Sequence, residues 1–124
     1  MPRPRPVSPP GDFAEQGRAL WLRVQRHLRA QSTWADTDAP LLESYVRCLL
    51  TARTARETAG AEPFVAGSQG QLVAHPGVKV AADAERDAHR YATSLLLTPE
   101  ARKRHEIEPR GDGDDLPFLH AVGG

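Results

Sequence analysis

Residues Gly67–Arg104 read GSQGQLVAHPGVKVAADAERDAHRYATSLLLTPEARKR, and the punctuation of this stretch sets the architecture. Pro63-Phe64-Val65 and Gln71-Leu72-Val73 are short strand-like runs around Gly67-Ser68-Gln69-Gly70, which predicts a β-hairpin. A two-stranded hairpin is marginal alone, so it should pack on helices or join a larger sheet formed by other copies. His75 precedes Pro76 and is therefore held extended at a strand-to-helix junction, where it should tie the hairpin to the next helix. A third helix is expected from about Gly77 to Leu96. Val78, Ala81, Ala84, Ala88, Tyr91, Ala92, Leu95 and Leu96 share one of its faces, while Lys79, Asp83, Arg86, Asp87 and Arg90 lie opposite. Thr98 then caps a short last helix, with Pro99 at its first position and Glu100 at the positive end of the helix dipole. Arg102, Lys103, Arg104 and His105 sit where positive charge is favoured.

Upstream, helix one is expected from about Asp12 to Gln31, with Asp12 as its cap. Phe13, Leu20, Trp21, Val24 and Leu28 fall on one arc at helical spacing, and Arg18, Arg23, Arg26 and Arg29 occupy the other side. Leu22 breaks the pattern by facing the polar side. Helix two follows STWADTD, with Thr37 or Asp38 as cap, Pro40 in the first turn and Gly60 as the stop. Its apolar residues, from Leu41 to Ala59, cover more than half of its circumference, so it should be covered on two sides. In a chain of 124 residues that second cover is expected to be another subunit, which makes Leu42, Val46, Leu50, Ala84, Ala88 and Tyr91 the candidate oligomer interface.

The fold class that results is mainly α, a small helical domain over residues 12–107 with a hairpin between helices two and three. The eleven residues before it, MPRPRPVSPPG, hold five prolines and should form a flexible arm. Residues 108–124 should form an acidic, Gly-rich tail.

Sixteen basic residues balance sixteen acidic ones, so composition alone does not describe a simple basic DNA binder. The distribution is less neutral. Met1 to Gly60 has nine Arg against six acids, whereas Glu106 to Gly124 has one Arg against five. Fourteen of the sixteen cations are Arg, whose planar fork suits phosphate, although a GC-rich genome produces the same bias. One cysteine, Cys48, forms no intrachain disulfide and fits a reduced setting. No signal-peptide pattern and no apolar run of membrane-spanning length is present, so a protein that is neither secreted nor inserted is expected.

Catalytic chemistry finds no support. The five histidines show no HExxH or HxxxH spacing, so no metal site is expected. There is no GxSxG, and Gly67 and Gly70 are not followed by the Lys-Ser/Thr of a phosphate loop, so no cofactor is expected either. The candidate functional residues are three basic clusters that can bind DNA phosphates: Arg3 and Arg5 on the arm, Arg18, Arg23, Arg26 and Arg29 on helix one, and Arg102, Lys103 and Arg104 on the last helix. Each also has a plain reading as a solvated face or a dipole complement.

The RALWLRV segment around Trp21, the TDAPLLESY start of helix two, the GSQGQLVAHP hairpin and YATSLLLTPEARKR together resemble the small subunit of phage terminases over roughly Phe13 to Ile107. Their order and spacing carry the resemblance more than any single motif. It implies a non-enzymatic helical protein that assembles into a ring in the host cytoplasm. It also implies double-stranded phage DNA as ligand, recognised at its packaging-start site, and the large terminase subunit, which holds the ATPase and nuclease, as partner. Two other classes stay open: a prophage regulator of helix-turn-helix type, and a structural head-to-tail adaptor ring of the virion.

Overall fold

In the computed structural model, which describes residues 4–62 and 64–107, four α-helices and one hairpin follow each other along the chain. They are α1 (Glu15–Ala30), α2 (Ala39–Ala59), β1 (Phe64–Ala66), β2 (Leu72–Ala74), α3 (Pro76–Ser94) and α4 (Pro99–Arg104). The mainly helical expectation with a hairpin between the second and third helices holds. The acidic tail lies outside the described residues.

The alanine spacing of α3 explains the central contact. Ala81, Ala84, Ala88 and Ala92 are all buried against α2, and side chains this small let the two backbones approach closely. At the near end, a Cβ added to Gly77 would stand 2.8 Å from the Ala55 carbonyl oxygen, so only glycine fits there without a shift. The two helices run antiparallel, and Arg56 of α2 clasps Glu85 of α3 with two hydrogen bonds of 3.0 Å. Against the other side of α2 lies α1, whose Leu20, Trp21, Val24 and Leu28 are buried as their spacing requires.

The double cover of α2 therefore comes from its own chain, which corrects the expected subunit interface. Leu42, Val46 and Ala88 are 0 % exposed and Ala84 is 8 % exposed, so none of the four presents an outward surface. Leu50 and Tyr91 are half-buried at the edge of the same core.

Helix one starts later than expected because Asp12 is engaged elsewhere. Its two carboxylate oxygens accept from Arg47 Nη2 at 3.2 and 3.1 Å, and the Arg47 guanidinium lies 4.6 Å over the Phe13 ring. Ala14 takes the cap position with no side-chain bond. At α2, Asp38 stands before the first residue but accepts from the Ala35 N–H at 3.1 Å, closing a single 3₁₀ turn over Asp36–Asp38. Gly60 ends α2 at φ +62°, the left-handed conformation glycine tolerates.

Three other helices stop without glycine. Ser32, Leu96 and Glu106 have φ of 64°, 63° and 55°, and the N–H of the residue after each bonds back five residues, to Leu28, Ala92 and Arg102. This is the Schellman closure in side-chain-bearing residues, and it ends α3 at Ser94 rather than Leu96. The inversion drives Leu97 into the core, where it is 0 % exposed.

The hairpin pairs Phe64 with Ala74, Val65 with Val73 and Ala66 with Leu72, one residue later in each strand than its sequence pattern suggests. It does not pack on the helices, since Phe64 is 59 % and Leu72 79 % exposed. At its base an open groove of about 540 Å³ separates α2 from the start of α3, lined by Leu50, Ala55, Pro76 and Val80 among others. His75 serves α3 rather than the hairpin, because its Nδ1 accepts from the Gly77 N–H at 2.9 Å and caps the helix.

Candidate nucleic-acid interface

The outward face of α1 is the most cationic element of the described chain. Its buried residues take one side, so helical geometry forces Arg18, Arg23, Arg26 and Arg29 into solvent, where all four are exposed. Glu15, in the first turn, is the only acid in the helix. Among the described residues none of the four arginines has an acidic partner. Arg18, Leu22, Arg26 and Arg29 form one row along the face, and Leu22, 47 % exposed, stands in its middle.

The exposed face of α3 shows what a solvated helix looks like in this protein. Lys79 pairs with Asp83 at 2.8 Å, Arg86 with Asp83 at 3.4 Å and Arg90 with Asp87 at 2.7 Å. The Lys79 hydrogen bond holds the Asp83 carboxyl below its ordinary range. That face neutralises itself, whereas the α1 face does not.

The last helix lies between these cases. Arg102 is half-buried and donates through Nη1 to the Leu97 carbonyl at 2.7 Å, so it fastens the α3–α4 junction. Arg104 reaches Glu100 at 3.5 Å, and Lys103 is exposed. Of this expected cluster, one side chain is structural and one is partly paired.

The arm differs most from its sequence reading. Arg3 lies outside the described residues, but the chain from Pro4 onward is strapped to α1 rather than free. The Val7 N–H donates to Gln25 Oε1 at 2.7 Å, and the Val7 carbonyl accepts from Gln25 Nε2 at 3.1 Å and from Trp21 Nε1 at 2.9 Å. Trp34 Nε1 donates to the Arg5 carbonyl at 3.1 Å. The free-arm expectation is thereby corrected for this segment. Proline composition signals the lack of helix and strand but says nothing about docking.

Sequence reasoning missed the buried polar residues Gln25, His27 and Gln31, which are 3 %, 1 % and 6 % exposed. For Gln25 a signal was available: it neighbours Trp21 and Leu28 at the margin of the apolar arc. Gln31 donates through Nε2 to the Leu96 carbonyl at 3.1 Å and to Thr33 Oγ1 at 2.9 Å, so it links the ends of α1 and α3.

For other chemistry the described residues offer little. No group of three or more His, Cys, Asp or Glu is placed to hold a metal ion among them. Burial, with Asp87 nearby, raises the Cys48 thiol above its ordinary range and disfavours the nucleophilic thiolate. No described helix is long and apolar enough to cross a membrane.

Comparisons with curated proteins and with solved structures returned no match. The sequence profile of one family, described as phage terminase, small subunit, matches residues 17–112. That span runs from the first turn of α1 past the end of α4 and takes in the exposed arginine row, the hairpin and both capped helices. With most of its length covered by that profile, this chain belongs to the phage terminase small-subunit family.

Proposed function

We propose that this chain is the DNA-recognising adaptor of a phage packaging machine. It binds duplex phage DNA at the packaging-start site through the α1 arginine face, and it hands that DNA to the large subunit. The observation that carries this reading is the exposed set of Arg18, Arg23, Arg26 and Arg29, without acidic partners among the described residues, set against the self-paired cations of α3. Arginine forks without intramolecular partners are suited to phosphate oxygens, and each contact releases counterions from the duplex. The adaptor performs no chemistry itself; the large subunit supplies the ATPase and nuclease. It works in the host cytoplasm as a ring whose copies meet through surfaces the single chain leaves apolar. Those are Phe64, Leu72 and Val73 of the hairpin and Val80 beside the groove. Weak phosphate contacts repeated around such a ring add as avidity.

Charge removal tests this. Replacing Arg18, Arg23, Arg26 and Arg29 together by Ala should weaken duplex binding strongly and flatten its salt dependence by about 0.9 in log–log slope per lost contact. Removing Arg102, Lys103 and Arg104 should do less, because Arg102 and Arg104 already have partners. Wild-type affinity at matched salt in both variants would place the DNA surface elsewhere. The purified chain should hydrolyse no ATP yet raise the hydrolysis rate of its large subunit. Turnover that copurifies with the chain alone would overturn the non-enzymatic assignment.

A further inference from the structure

We infer that the outward face of α1 enters the major groove of duplex DNA, with Leu22 and Ala19 against the 5-methyl groups of thymines and the four arginines on the phosphates to either side. This assigns a base-contacting residue to the duplex interface proposed above and rests on that reading.

Five large apolar side chains are exposed among the described residues. Phe64, Leu72 and Val73 belong to the hairpin and Val80 to the groove at its base. Leu22, 47 % exposed, stands instead among charges. At about 100° of turn per residue, Arg18 and Arg29 lie about 20–40° to one side of Leu22, while Arg26 and Arg23 lie about 40° and about 100° to the other. Ala19, also exposed, sits one turn before Leu22 and Arg23. The face therefore has a short apolar centre and cationic borders on both sides. Neither the core nor solvation accounts for a leucine at that centre.

Side-chain length decides what such a face fits. The arginine forks reach well beyond the tips of Leu22 and Ala19, so a flat anionic surface would meet the forks and leave the leucine wet. A concave partner with anionic walls and an apolar patch on its floor meets both. The major groove of B-DNA has that shape: at about 12 Å wide it admits an α-helix, whereas the minor groove, at about 6 Å, does not. The apolar group that base pairs present on its floor is the thymine methyl. Contact with Leu22 withdraws two apolar surfaces from water, and it carries sequence information that phosphate contacts lack. Glu15, the one acid of α1, lies on the same face about two turns before Leu22. Phosphate repels it, so the helix meets the groove over its middle and last turns.

The test follows binding of the full chain by anisotropy to an alternating dA-dT duplex and an alternating dA-dU duplex across a salt series. The second duplex lacks the thymine methyls and keeps the phosphates and the base pairing. The wild-type chain should bind the dA-dT duplex about fourfold more tightly, the effect of burying one methyl group. That ratio should hold at every salt concentration, because an apolar contact releases no counterions. Leu22→Ala should bind both duplexes as wild type binds dA-dU, with the salt slope unchanged. Leu22 is outside the core and alanine favours helix, so the variant should keep the wild-type circular dichroism. Removing the four arginines should instead weaken binding to both duplexes and flatten the slope. Equal wild-type affinity for the two duplexes would overturn the groove assignment. So would a methyl preference that persists in Leu22→Ala, which would trace it to duplex shape or to another residue. In both cases a steep salt dependence would leave the phosphate reading standing. If Leu22→Ala breaks up the native assembly yet keeps the methyl preference, Leu22 is a subunit contact and the inference fails. Absence of binding to either duplex at low salt would remove the phosphate reading and the groove assignment together.

Discussion

Trp21 joins three parts of the molecule at one side chain. It is 1 % exposed, its indole N–H bonds the strap, and its ring meets Phe13 edge-on with centroids 6.1 Å apart. Trp21→Ala should cost about 3–5 kcal/mol, read as a lowered denaturant midpoint. An unchanged midpoint would show that the indole is not part of the core. Tyr45 offers a pH test. Burial raises its phenol well above the ordinary value near 10, so the folded chain keeps a proton that the unfolded chain releases. Its contribution to stability is thus full below about pH 10 and declines as pH rises past that value. Tyr45→Phe should lose less stability than wild type between neutral and strongly alkaline pH, and equal losses in chemical denaturation would refute this. At this scale apolar burial was legible in the sequence. Trp21 and Val24 follow from spacing, whereas spacing puts Gln25 only at the margin of the apolar arc and does not by itself bury it or His27, because a polar side chain is buried only when a particular neighbour covers it.

Among the elements, caps that depend on local chemistry were readable and those that depend on backbone inversion were not. Thr98 caps α4 as its sequence context requires, with Oγ1 accepting from the Ala101 N–H at 3.1 Å. The sequence reads as helix to about Leu96, yet Leu96 adopts a left-handed conformation that costs a residue with a Cβ about 1–2 kcal/mol. Burial of Leu97 and the two carbonyl bonds that close the helix offset that cost. At Gly77 the start of α3 lies close against the backbone of α2. Gly77→Ala should destabilise the fold by about 1–3 kcal/mol despite alanine's better helix propensity, because the new methyl meets backbone at Ala55 and not a flexible side chain. A thermal midpoint equal to or above wild type would show that the helices can separate there at little cost.

For the molecule as a whole, the large apolar side chains left exposed among the described residues are Phe64, Leu72 and Val73 of the hairpin, Val80 beside the groove and Leu22 on α1, and none of them lies on α2. The proposed ring should therefore depend on the hairpin. Native mass spectrometry should give a closed assembly for wild type and a helical monomer for Phe64→Glu/Leu72→Glu. A wild-type chain that stays monomeric at micromolar concentration would remove the ring. A double variant that still assembles would move the contact to another face.

Periodicity, turn residues and caps by themselves determined four helices, a hairpin between the second and third, and the side of α1 that faces solvent, because each of these depends on neighbours within a few residues. The same local information located the arginine row. Only the tertiary structure decided what covers α2, where the N-terminal segment goes and which cations are already engaged. Those outcomes depend on contacts between residues far apart in the chain: Val7 with Gln25, Gly77 with Ala55, and Arg56 with Glu85. No short window of sequence contains both partners of such a pair, so the composition that suggested a loose arm and a half-covered helix gave way to a strap and a closed core.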